Sequence, residues 1–163
     1  MTHTLVLMRH GKSGYPEGTP DHDRPLAERG LREAGFAGKW ITETVGTVDA
    51  VICSTATRTR ETLDATGINS EVTFSSSIYG GSPDEIIEEI SLVDDSVDTL
   101  LLVGHAPGIP FTVLELTNDP NSADAIEIGR KFPTSAIAVL TIEGSWSAIG
   151  PSTASLTHFH IPR

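Results

Sequence analysis

Short apolar runs of strand length alternate along this chain with stretches in which apolar residues recur at helical spacing. The first run, Thr4 to Arg9, holds Leu5-Val6-Leu7-Met8 and predicts a buried strand. A polar loop from Gly11 to Arg24 follows. Between Leu26 and Val45, Leu31, Ala34, Ala37, Trp40 and Ile41 recur with the period of a helix. Asp49 to Cys53 predicts a second strand, a helix opens near Ala56 and continues to Thr66, and Glu71 to Ser75 predicts a short third strand. Pro83 opens the next helix, because its missing N–H and fixed φ suit a first helical turn, and Ile86, Ile87 and Ile90 give that helix one apolar face. Thr99 to Gly104 predicts a long apolar strand, and a helix after Pro107 carries Val113, Leu114 and Leu116. Ala136–Ile142 and Ser145–Ile149 predict a hairpin around Glu143-Gly144, with Leu156–Ile161 as a last edge strand. Asn118 to Arg130 stands as the one extra segment.

This alternation predicts an α/β fold with three αβα layers, a mostly parallel central sheet covered on both faces. No repeat or linker divides the chain, so residues 1–163 read as one domain, long enough to bury a real core. No apolar segment approaches the roughly 20 residues that span a bilayer. Met1 to Thr4 lead into the first strand without a basic, cleavable leader, which predicts a cytoplasmic protein with no membrane partner. Cys53 is the single cysteine; it ends an apolar run and reads as a packed, inert thiol. The formal charge of −11 argues against nucleic-acid partners, because phosphate backbones are repelled by the summed field. Arg9, Lys12, Arg58 and Arg60 nevertheless gather near two loops, while acids such as Asp84, Glu85, Glu88 and Glu89 dominate elsewhere. A basic pocket on an acidic body suits a small anionic group.

In parallel sheets the chemistry sits at the carboxyl ends of the strands. The first strand ends in Arg9-His10-Gly11, where Gly11 allows a sharp turn that aims His10 into the crevice above the sheet. Taken alone, this heptapeptide reads equally well as a strand stopping at a polar turn. The second strand leads into Ser54-Thr55-Ala56-Thr57-Arg58-Thr59-Arg60-Glu61-Thr62, and the fourth into Gly104-His105-Ala106-Pro107-Gly108. Two histidines and two arginines at successive strand ends, beside helix N-termini that favour anions, are hard to explain by packing.

Arg9-His10-Gly11, the Ser-Thr-Ala-Thr-Arg-x-Arg-x-Thr segment and Val103-Gly104-His105-Ala106-Pro107-Gly108 resemble the histidine phosphatase, or phosphoglycerate mutase-like, superfamily. The short chain and the loop Asp21-His22-Asp23-Arg24-Pro25-Leu26 leading to Arg29-Gly30 are similar to its SixA-like phosphohistidine phosphatase branch. The likeness runs from Leu5 to Ile149. It implies a phosphoglycerate mutase-like fold, His10 as a nucleophile that is transiently phosphorylated, and Arg9, Gly11, Arg58 and His105 as phosphate-binding residues, with His105 in its charged form. It implies no metal and no cofactor. Arg60 and Lys12 read as solvated, although either could reach a substrate.

Mutase-type members carry a glutamate after the third strand that protonates the leaving oxygen. Here that region reads Ser77-Ile78-Tyr79-Gly80-Gly81-Ser82-Pro83-Asp84-Glu85, with no acid at the expected place. Asp21 and Asp23 in the first loop are the preferred donor candidates, and Asp84 and Glu85 the others. Acids in a first helical turn also serve simply to offset the helix dipole. A site without a strong acid favours phosphohistidine, which can expel a neutral imidazole, over alkyl phosphates, whose alkoxide needs a proton. The leading expectation is a metal-independent phosphatase acting on phosphohistidine in a protein. Its rivals are a general small-molecule phosphomonoesterase and a non-catalytic phosphate-binding module. His158 and His160 share a strand face at a spacing that can bind metal, but with no third ligand they read as a surface pair. His22 reads as a pocket or loop-stabilising residue, and His3 as inert.

Overall fold

The apolar runs become strands because each can bury both faces. The computed structural model describes residues 1–163, with β1 (Thr2–Arg9), α1 (Glu28–Val45), β2 (Ala50–Ser54), α2 (Thr57–Thr66), β3 (Glu71–Ser75), α3 (Pro83–Ser91), β4 (Thr99–Gly104), α4 (Gly108–Leu116), α5 (Ala123–Arg130), β5 (Ile137–Glu143) and β6 (Ala154–His160). The strands form one sheet in the order β3-β2-β4-β1-β5-β6. Leu5 and Leu7 point to one face with Leu100, Leu102, Ile86, Ile109 and Val113; Val6 and Met8 point to the other with Leu101, Val103, Ala37, Ile41 and Leu63. Helices α3, α4 and α5 therefore cover the first face, and α1 and α2 the second. The expected three-layer αβα architecture is present.

Local chemistry explains the helix starts. Ser82 and Glu85 close a reciprocal capping box ahead of Pro83, and the Ser122 side chain accepts the Ala125 N–H to open α5. The chain entering α1 is tied down by Glu61, whose carboxylate accepts the Leu26 N–H at 2.8 Å.

The sheet is mostly parallel as expected, and three features differ: the conformation of Ser145–Ile149, a helix within Asn118–Arg130 and the exposure of Leu31. The β1–β4, β2–β4 and β2–β3 pairings are parallel, but β5 and β6 add antiparallel strands on the other side of β1. Ser145–Ile149 is no strand: Trp146–Ala148 is a 3₁₀ turn that drives the indole into the core, where its N–H donates to the Val97 carbonyl at 2.9 Å. The antiparallel partner of β5 is β6. Within the extra segment lies α5, eight residues long, which packs Ala125 and Ile128 inward. Leu31 is exposed, because the buried stripe of α1 runs through Gly30, Ala34, Ala37, Gly38 and Ile41 instead. His3 is buried, its ring nitrogens 2.8 and 3.1 Å from the Gly144 and Asp95 carbonyl oxygens, and packs on Trp146. Cys53 is buried as expected, and burial pushes its thiol up to about 12. No helix is long and apolar enough to cross a membrane.

The small residues of that stripe let α1 lie directly on α2. A Cβ at Gly38 would fall onto the Thr66 backbone, whereas one at Gly35 would meet only the Ala65 carbonyl oxygen at 3.7 Å. Alanine normally improves a helix interior by about 0.5–1 kcal/mol over glycine. Gly38→Ala is expected to reverse that sign, losing roughly 1–3 kcal/mol by overpacking. Gly35→Ala should be neutral or stabilising; urea unfolding of the two variants compares them directly.

Candidate active site

His10 follows β1 and is fixed at both backbone groups: its N–H donates to the Gly104 carbonyl and its carbonyl accepts from Ser135, each at 3.0 Å. The imidazole is buried, 6 % exposed, with Nδ1 2.7 Å from the Gly11 carbonyl oxygen. A carbonyl only accepts, so Nδ1 carries the proton and Nε2 keeps its lone pair. Gly11 itself is held by α2, since its N–H donates to Thr62 Oγ1 at 2.9 Å. Its φ is not positive, so a left-handed backbone is not what the glycine supplies. The glycine is needed for close approach: a Cβ there would stand 2.9 Å from the Gly30 carbonyl oxygen. Expected as a substrate-binding residue, Gly11 has its amide committed to Thr62 and its carbonyl to His10, so it orients the imidazole and does not line the cavity.

His105 follows β4, its ring centroid 5.3 Å from that of His10. Its Nε2 lies 2.7 Å from Ser54 Oγ at the end of β2, and its Nδ1 is buried without a partner. Arg9 anchors one amino group on the Phe132 carbonyl at 3.0 Å. Arg58, in the first turn of α2, donates to the Asp21 carbonyl at 2.7 Å and to Asp21 Oδ2 at 3.1 Å. The Nε of each arginine is also buried and unpartnered. These side chains line a cavity of about 210 Å³ together with Lys12, Ser13, Tyr15, Arg24, Ala106 and Thr134. A buried polar nitrogen without a partner costs about 1–3 kcal/mol, and a tetrahedral oxyanion supplies acceptors for such donors. The geometry defines a class: an αβα protein with a phosphate-sized, cation-lined cup around two imidazoles.

Burial holds both imidazoles neutral. His10 is pushed down to about 3 by desolvation, which the Gly11 carbonyl partly opposes and the charges of His105, Arg9 and Arg58 reinforce. His105 is lowered to about 4 by burial and then by Arg58. The expected charged form of His105 is therefore corrected for the free site: an imidazolium there would be desolvated beside a guanidinium.

Neither loop aspartate is placed as a proton donor. Asp21 accepts from the Tyr79 hydroxyl, Arg58 and Arg24, and these bonds, the tyrosine's first, hold its carboxyl down to about 2. It is an ionised hub that positions two cavity arginines. Asp23 is exposed, 3.6 Å from His22 Nδ1, and does not line the cavity. The Glu85 carboxylate accepts from the Ser82 backbone and hydroxyl, which is its capping role. No carboxyl group lines the cup itself; Glu85 lines an adjoining cavity of about 290 Å³ that meets the cup at His105 and Ala106.

Lys12 does reach the cavity, whereas Arg60 lies over Phe74, 4.6 Å from the ring centroid. Arg24, Tyr15, Ser13, Thr134 and the supporting Tyr79 were not singled out from sequence as site residues. Ser54 and Thr62 lay inside the quoted motif but could not be assigned partners without the fold. His22 bonds Thr55 Oγ1 at 2.9 Å as a loop-stabilising residue. His158 and His160 pack against Trp40, His160 stacked on it at 4.5 Å.

The model of the histidine phosphatase superfamily (branch 1) matches residues 5–76, from β1 to just beyond β3. An uncharacterised protein of Mycobacterium tuberculosis is 50 % identical over 158 residues, covering 96 % of this chain and all of that one. The structure of a protein provisionally named phosphohistidine phosphatase SixA from Nakamurella multipartitia is 42 % identical, with a TM-score of 0.92 over 99 % of this chain and 97 % of that one. Phosphohistidine phosphatase SixA of Escherichia coli is 26 % identical over 147 residues, 86 % of each chain. The chain belongs to the histidine phosphatase superfamily and is SixA-like. It is a phosphatase.

Two expectations follow. Imidazole pKa values lowered from 6.5 mean that the unfolded chain takes up these protons first as pH falls. The stability that the neutral rings contribute is thus fully present above about pH 6.5 and is lost progressively towards pH 4 and 3. Nitrogen-resolved NMR of the imidazoles should show His10 as the neutral Nδ1–H tautomer at pH 5.5; a midpoint near 6.5 would contradict the burial argument. Asp21→Asn should lower kcat/KM by about tenfold, the value of one charge-assisted bond. The loss should be equal for aryl and alkyl phosphates, whereas removal of a proton donor would penalise alkyl phosphates selectively.

Proposed function

We propose that this phosphatase removes the phosphoryl group from phosphohistidine in a protein, through a phosphorylated intermediate on His10. The observation that carries the reading is the His10 Nδ1–H bond to the Gly11 carbonyl in a cup without a carboxylic acid. His10 Nε2 attacks phosphorus, the bond from phosphorus to the substrate nitrogen breaks, and its electron pair stays on the leaving imidazole. If the other nitrogen of that ring already carries a proton, the ring departs neutral. Water then adds to phosphorus, the bond to His10 Nε2 breaks, and both water protons leave with dihydrogen phosphate. His10 returns neutral because Nδ1–H is retained throughout. No step requires a general acid. An alkyl ester run through the same cup expels an alkoxide, which does.

Arg9 and Arg58, with Lys12 and Arg24 at the cavity wall, offset the charge on the non-bridging oxygens, where it concentrates in phosphoryl transfer. His105 completes the cup. Ser54 Oγ accepts the Ala56 N–H and lies 2.7 Å from His105 Nε2; with the serine hydroxyl as donor to that nitrogen, Nδ1–H is the group that bonds a phosphoryl oxygen. The names of the Nakamurella and Escherichia coli proteins support the same substrate class.

The test is a comparison of phosphohistidine peptides with sugar, nucleotide and aryl phosphates. General acid help is worth roughly 10²–10⁴ in rate, so phosphohistidine should exceed sugar phosphates in kcat/KM by about that range. His10→Ala should abolish turnover of every substrate. Sugar phosphates hydrolysed as fast as phosphohistidine would overturn the substrate assignment.

A further inference from the structure

Beside the cup, the surface continues as a groove between α4 and the end of α5. The groove holds about 190 Å³ and shares Ala106 with the active-site cavity. Phe111, Leu114, Ile128 and Phe132 form its apolar walls, and Arg130 and Lys131 its basic edge. Phe111 is 56 % exposed, so a large ring stands in water immediately beyond the site. Phe132 links the two regions, since the residue lines the groove and its carbonyl anchors Arg9. Glu127 pairs with Arg130 at 3.2 Å on the exposed surface of α5, but no carboxylate lines the groove.

The charge distribution indicates what this groove receives. The chain has 11 basic residues and a net charge of −11. Arg9, Lys12, Arg24 and Arg58 line the cup and Arg130 and Lys131 line the groove, so more than half of the cations face one continuous surface. An acidic macromolecule is repelled by the rest of the molecule and steered to this face. A free phosphorylated amino acid or sugar is held within the cup and has nothing to place among Phe111, Leu114 and Ile128. A groove beyond the cup contributes binding only to a substrate that extends past its phosphoryl group.

We infer that the α4–α5 groove docks the acidic protein that carries the phosphohistidine. An apolar side chain near that histidine enters between Phe111 and Ile128, while Arg130 and Lys131 face acidic residues of the same segment. The inference rests on the phosphohistidine reading above and adds where its protein is held. Helix α5 then has a role that its fold position alone does not explain: it is the second wall of a specificity groove.

Three probes test this on the full chain: a phosphohistidine peptide flanked by Glu and Leu, its counterpart flanked by Lys and Ser, and p-nitrophenyl phosphate. The intact protein should prefer the acidic, apolar peptide by about tenfold or more in kcat/KM. Arg130→Glu with Lys131→Glu should remove about a tenfold preference through KM, with p-nitrophenyl phosphate hydrolysis held within about twofold. Phe111→Ala should weaken the same peptide selectively. Equal use of both peptides by the intact protein overturns the inference and leaves the phosphohistidine reading standing, as does a parallel loss on all three probes in the variants. Turnover of p-nitrophenyl phosphate with neither peptide used overturns both.

Discussion

The hydrogen bond from His10 Nδ1 to the Gly11 carbonyl depends on how tightly the end of β1 is gripped. β1 lies inside the sheet, with β4 on one side and β5 on the other, so its direction is set by two ladders. At its end the His10 backbone is bonded to Gly104 and Ser135, and Gly11 is pressed between Gly30 of α1 and Thr62 of α2. The carbonyl that sets the tautomer is therefore immobilised between the sheet and the α1–α2 layer. A freer loop would let either nitrogen take the proton. This one presents a single face of the imidazole, already deprotonated, to the cup.

Around that ring the protein gathers cations that would ordinarily repel one another. Asp21 makes this possible from outside the cavity: one carboxylate bonds Arg24, Arg58 and Tyr79, and its backbone carbonyl bonds Arg58 again. A carboxylate inside the cup would have competed with phosphate and raised the proton affinity of the nearby imidazoles. Placed at the rim, it aligns the guanidiniums while their Nε groups remain unpartnered. The 3₁₀ turn at Asp21–Asp23 is thus part of the electrostatic design of the site.

The strand runs of β1, β2 and β4 and their polar terminators were legible in the sequence, because buried parallel strands leave continuous apolar runs and the chemistry must follow them. His10, His105 and Arg9 stand at those terminators, whereas the choice of Arg58 over Arg60 and Lys12 comes from the family resemblance. From sequence Asp21 is only one of several candidate proton donors, since its actual partners, Arg58 and Tyr79, lie 37 and 58 residues away in the chain. The strand expected over Ser145–Ile149 is absent for a similar reason, although Trp146 is in the core. Its alternating neighbours suit a strand, but the indole gains more by entering the core beneath α3 than by pairing on β5. Helix α5 was missed because it is short and its buried face is only Ala125 and Ile128, too little for a periodicity to register.

Arg60, left out of the cup, sits over Phe74 on β3, the strand at one margin of the sheet. Phe74 is 45 % exposed, and the outer side of β3 has no neighbouring strand. Such a margin is a template on which a second chain can add, and a charge placed on it is a standard deterrent. The guanidinium over the exposed ring therefore sets a charge beside an apolar group at the one margin where β3 lacks a partner, which disfavours strand addition there.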